Sequence, residues 1–86
     1  MENLWAKAHQ FILNSVEGDF YLNGNEKIYV VKRSPKRIHF SNGKIITIKK
    51  SKSGSFLYFS GKNTNQILRD IEGYFLMIIH SQNVFF

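Results

Sequence analysis

Residues 36–50 read KRIHFSNGKIITIKK. Two runs that alternate apolar and polar residues flank Ser41-Asn42-Gly43. Alternation at period two marks a half-buried strand, and Asn-Gly between two such runs marks a hairpin. Two registers compete. A two-residue Asn42-Gly43 loop pairs Phe40 with Ile45 and Arg37 with Ile48, which mixes apolar and charged side chains on both faces. A three-residue loop with Gly43 in the left-handed conformation pairs Ile38 with Ile46 instead. Ile38, Phe40, Ile46 and Ile48 then share one face, and Arg37, His39, Ile45, Thr47 and Lys49 share the other. A one-residue slip exchanges every side chain between core and solvent, so the hydrophobic pattern selects the three-residue loop.

Outward from this hairpin the same rhythm continues. Strands are predicted over 20–22, 27–33, 36–41, 44–50 and 55–60, separated by Asn23-Gly24-Asn25, Ser34-Pro35, Asn42-Gly43, Lys52-Ser53-Gly54 and Gly61. Short turns between successive strands imply antiparallel neighbours, hence a meander. In the strand before the hairpin, alternation sets Ile28 and Val30 inward and Tyr29, Val31 and Arg33 outward.

Helical spacing frames the sheet. Leu4, Trp5, Ala8, Phe11, Ile12 and Val16 recur on one helical face, with Asn3 as N-cap and Gly18 as the stop. Trp5 on that face is expected in the core. Asn63 with Gln66 three residues on has the form of a capping box, and Ile67, Leu68, Ile71, Phe75, Ile78 and Ile79 keep helical spacing. Gly73 interrupts this run. A helix through Gly73 is preferred over the rival in which the helix ends at Glu72 and residues 74–80 form a further strand. The apolar tail Val84-Phe85-Phe86 is expected to tuck against the core or a partner. The predicted fold class is α+β: an antiparallel meander of about five strands, with an N-terminal and a C-terminal helix packed on one face. Eighty-six residues hold one core, so a single domain is expected over residues 1–86.

Charge is segregated along the chain. Positions 27–69 contain eleven of the twelve Lys and Arg residues and no Asp or Glu, a formal charge of +11. The acids Glu2, Glu17, Asp19, Glu26, Asp70 and Glu72 all lie outside it. A one-signed field attracts polyanions. Cations displace the counterions of a phosphate backbone, and flat side chains stack on bases or sugars. The residues expected to contact nucleic acid are Lys27, Tyr29, Arg33, Lys36, Arg37, His39, Lys44, Lys49, Lys50, Lys52 and Lys62, with Lys32 alongside. The cluster Lys32-Arg33-Ser34-Pro35-Lys36-Arg37 has the form of a basic turn that clamps a backbone, and equally of a plain charged hairpin tip. Lysine, a point charge without arginine's fork, outnumbers arginine nine to three, which argues against base-specific readout. The competing reading is a protein-interaction module that docks an acidic partner or self-associates as a homodimer through residues 74–79 and the tail.

Other function classes find little footing. The chain has no cysteine, so a disulfide framework and a cysteine nucleophile are excluded. His9, His39 and His80 fall on separate elements, and Asp70 and Glu72 diverge on a helix. Glu17, Asp19 and Glu26 gather around the first turn and read as surface acids rather than a magnesium site. Gly61-Lys62-Asn63 leads from a strand into a helix, a place where a phosphate can sit, but lacks the spacing of a nucleotide-binding loop. The expectation is a non-enzyme without cofactor or metal. No apolar run approaches the ~20 residues of a membrane span, and no basic n-region precedes an apolar run at the N-terminus, so an intracellular site is expected. Abundant Lys, Ile and Asn match an AT-rich genome, such as that of a virus, a phage or a low-GC bacterium.

Overall fold

The computed structural model describes residues 3–83. Helix α1 spans Leu4–Asn14, and the Asn3 side chain caps it by accepting a hydrogen bond from the Ala6 N–H at 3.2 Å. Five strands follow: β1 Phe20–Asn23, β2 Glu26–Arg33, β3 Arg37–Phe40, β4 Ile45–Lys50 and β5 Leu57–Ser60. Helix α2, Thr64–Asn83, closes the described chain. The strands form one antiparallel sheet in the order β1-β2-β3-β4-β5, so the chain is α+β with a five-stranded meander between two helices. The tail Val84-Phe85-Phe86 lies outside the described residues.

The β3–β4 pairing is the predicted one. Ile38 lies opposite Ile46, Arg37 opposite Thr47 and His39 opposite Ile45. The loop closes with Gly43 N–H on the Phe40 carbonyl at 3.0 Å, and Gly43 has φ +85, a conformation that side chains with a Cβ rarely adopt. Ile38, Phe40, Ile46 and Ile48 are all buried. They meet Tyr21, Ile28 and Val30 of the same sheet face, Ala8 and Ile12 of α1, and Ile67, Leu68 and Ile71 of α2 in a single core.

Three expectations are corrected. Helix α1 ends at Asn14, a turn before Gly18, and Val16 is exposed rather than on the apolar face. Ser15 is the reason: its N–H and its hydroxyl both donate to the Ile12 carbonyl, and the Asp19 carboxylate then accepts from Val16 N–H at 2.8 Å. Small polar side chains that bond nearby backbone in this way compete with helix continuation. Trp5 is partly exposed, with its ring beside His9, which stacks on Phe59 of β5 at 5.1 Å. At the start of α2, Gln66 donates to Asp70 at 2.9 Å, so its side chain runs forward along the helix rather than back toward Asn63.

Helix α2 continues through Gly73, as the longer reading predicts. Twenty residues make a helix of about 30 Å, longer than the core it covers. From residue 73 to 81 no side chain is fully buried, and Leu76 and Met77 stand 45% and 44% exposed.

Tyr21 is fully buried in the core, edge-on to Phe40 at 5.9 Å and to Phe11 at 6.4 Å. Its hydroxyl is buried and has no hydrogen-bond partner among the described residues. Burial, then the charges of Asp70 and Glu26, hold the phenol protonated well above its usual range. A phenol whose pKa is raised by folding favours the folded state below the unfolded value of about 10 and loses that contribution as pH rises past it. Tyr21→Phe is therefore expected to leave stability unchanged or raise it by about 1 kcal/mol at pH 7 in urea denaturation. The advantage of Y21F over the parent is expected to grow above pH ~10. A loss of stability in the variant at both pH values would show that the hydroxyl has a favourable partner.

Candidate nucleic-acid interface

Both helices contribute to the core on the same side of the sheet, so among the described residues the other face has no cover. Pairing and alternation determine what stands on it. Phe20 lies opposite Tyr29 and Leu22 opposite Lys27 across β1 and β2. Lys32 faces His39, His39 faces Ile45, and Arg37 faces Thr47. Thr47 faces Ser60, and Lys49 faces Tyr58. Tyr29, Val31, Ile45 and Tyr58 are 39%, 55%, 41% and 44% exposed, and Lys27, Lys32, Arg37 and Lys49 are exposed among them. Phe20 is held between Tyr29, at 5.7 Å between ring centres, and the Lys27 ammonium, 5.0 Å from its ring centre. The only acid within the strands is Glu26, and alternation from Ile28 puts it on the opposite side.

A bulge in β2 decides which cations reach this face. Val30 pairs with Phe40, yet Lys32 pairs with His39, so Val31 is the extra residue. An extra residue inverts the alternation beyond it. Lys32 is thereby turned outward, and Arg33, expected outside, is turned inward opposite Ile38. The half-buried Arg33 guanidinium donates to the carbonyls of Leu13 at 3.2 Å, Ser15 at 3.1 Å and Ser34. Leu13 and Ser15 lie at the C-terminal end of α1, where carbonyls lack helical partners and a cation is favoured. Arg33 thus ties the first helix to the sheet.

The remaining expected residues are dispersed. Lys36 is exposed in the turn before β3, Lys52 in the loop after β4, and Lys62 in the turn before α2. Lys44 is half-buried beside Gly43, with its N–H on the Asn42 carboxamide oxygen at 3.1 Å. Lys50 pairs with Leu57 and lies in register with the inner residue Ile48. With Pro35, Lys36, Ile48, Lys49 and Leu57 it lines a groove of about 800 Å³ at the end of the β4–β5 hairpin. The open face therefore unites Lys27, Tyr29, Arg37, His39 and Lys49, adds Lys32, and leaves Lys36, Lys44, Lys52 and Lys62 in the connecting turns and loops. Phe20 and Tyr58, opposite Tyr29 and Lys49, also belong to this face and are not among the residues expected from the sequence. The alternation of Tyr58 and Ser60 with the half-buried Phe59 was the available signal for β5.

Cations around flat apolar side chains, with no acid among them, suit a ligand that carries both negative charge and a stackable surface. Among the described residues no three His, Cys, Asp or Glu side chains are placed to hold a metal ion. No helix among them is long and apolar enough to cross a membrane. Compared with family models, curated proteins and solved structures, the chain has no match.

The two classes of arginine are separable by stability. Arg33→Met is expected to cost about 1.5–3 kcal/mol, the scale of hydrogen bonds made by a charged group. Arg37→Met on the open face is expected to change stability by no more than about 0.5 kcal/mol. Urea denaturation followed by circular dichroism measures both. Equal effects at the two positions would contradict the placement of Arg33.

Proposed function

We propose that this chain is a small, non-catalytic nucleic-acid-binding protein that holds the phosphate backbone on the open face of its sheet. The observation that carries this reading is the uncovered face itself. Lys27, Lys32, Arg37 and Lys49 surround exposed Tyr29, Val31, Ile45 and Tyr58, with no acid of the strands on that side. A charged surface evolved only for solubility gains nothing from four large apolar side chains left in water. Lysine supplies most of the charge, so binding follows the backbone with little sequence preference. An intracellular site accords with this ligand.

A second reading has its own support. The far half of α2 exposes Leu76 and Met77 beyond the core, as expected of a helix that docks an acidic protein or a second copy of the chain.

Fluorescence-anisotropy titration of labelled oligonucleotides, with heparin as a polyanion control, tests the first reading. Five neutralised phosphates would give a log K versus log salt slope of roughly −4 to −5 on duplex DNA. Combined charge reversal at Lys32, Arg37 and Lys49 is expected to abolish nucleic-acid binding and leave any self-association intact. Leu76→Glu with Met77→Glu is expected to do the opposite. Arg33 stays out of the binding set because its loss would unsettle α1. A flat salt response, or affinity no better than for heparin, would reject nucleic acid as the ligand.

A further inference from the structure

Resting on the proposed nucleic-acid reading, we infer that the ligand is single-stranded, with unpaired bases lying on Tyr29 and Tyr58 and its phosphates met by Lys27, Lys32, Arg37 and Lys49. Tyr29 on β2 and Tyr58 on β5 stand three strands apart, which is roughly 14 Å at the usual strand spacing. They are also offset along the strands. Tyr29 bonds Ser41 just past the end of β3, whereas Tyr58 pairs with Lys49 near the end of β4. The offset amounts to about six residues, or roughly 20 Å at the rise of a strand. The two rings therefore mark the ends of a diagonal of about 25 Å. That is room for roughly four nucleotides, the low end of site sizes for small single-strand binders.

The floor between the rings is apolar or flat except for the hydroxyl of Thr47. Val31, His39, Ile45 and Thr47 occupy it, with Lys32 and Arg37 beside them. Unpaired bases present faces that such a floor can desolvate with gain, whatever their identity. A duplex keeps its base faces stacked inside and offers phosphates outward. Laid on this surface it would set Val31, Ile45 and both tyrosines against charged backbone, with no contact for their apolar area. Duplex readers commonly insert a helix into the major groove, and here both helices lie behind the sheet.

The test uses the full chain with 12-nucleotide oligothymidine and oligouridine, and with a 12-base-pair duplex at the same salt. Single strands are expected to bind at least ~10-fold tighter than the duplex. Tyr29→Ala and Tyr58→Ala are each expected to weaken single-strand binding by about 5- to 100-fold and to leave duplex binding within about twofold. Tyr29→Phe and Tyr58→Phe, which keep the ring, should retain the parent affinity. Both positions are exposed, and a parent-like circular dichroism spectrum secures the comparison. Equal or tighter duplex binding, or indifference of single-strand binding to the alanine variants, would overturn the single-strand inference while leaving the broader reading in place. Failure of both forms to bind better than heparin would overturn the two together.

Discussion

The turn at Ser41-Asn42-Gly43 sets the pairing of β3 with β4, and the face of every residue in the central sheet follows from that pairing. With Gly43 in the left-handed conformation, Ile38 meets Ile46 and both enter the core. The alternative loop would put Arg37 level with Ile48 and leave no coherent apolar face. The cost of burying charge without partners excludes it. Once one face is apolar, both helices lay their stripes on it, because Ala8, Ile12, Ile67, Leu68 and Ile71 need the same cover. Among the described residues the opposite face is left without cover, and the charge segregation along the chain makes it basic.

A second device modifies that outcome locally. The bulge at Val31 inverts the phase of the last two residues of β2. One arginine is withdrawn from the surface to close the end of α1, and one lysine is delivered to the surface in its place. A sequence with two adjacent cations, Lys32-Arg33, thus supplies one to the structure and one to the open face. Arginine suits the inner role, since its planar fork donates to several carbonyls at once.

The sequence made the strand order, the Gly43 register, the inner residues and the run of α2 through Gly73 legible, because each depends on a local signal repeated over several residues. Most of the open face was equally legible, since Arg37, His39, Ile45, Thr47 and Lys49 follow from the hairpin alone. Arg33 was misplaced because a bulge leaves no period-two signature: Val30, Val31, Lys32 and Arg33 alternate as plausibly without it. The end of α1 was overrun because Val16 fits the helical spacing, and the competing hydrogen bonds of Ser15 and Asp19 outweigh one more apolar position. Trp5 fits that spacing too, but it lies near the first turn of α1, where it packs with His9 rather than in the core.

On the proposed reading the open sheet face, and not the exposed half of α2, is the working surface. Backbone amide mapping by ¹⁵N–¹H NMR during titration with a short oligonucleotide tests it most directly. Shift changes concentrated at Tyr29, Lys32, His39, Thr47, Lys49 and Tyr58, with Leu76 and Met77 unmoved, are the predicted result. Changes concentrated on α2 beyond Gly73, or no changes on the strands at saturating oligonucleotide, would contradict it.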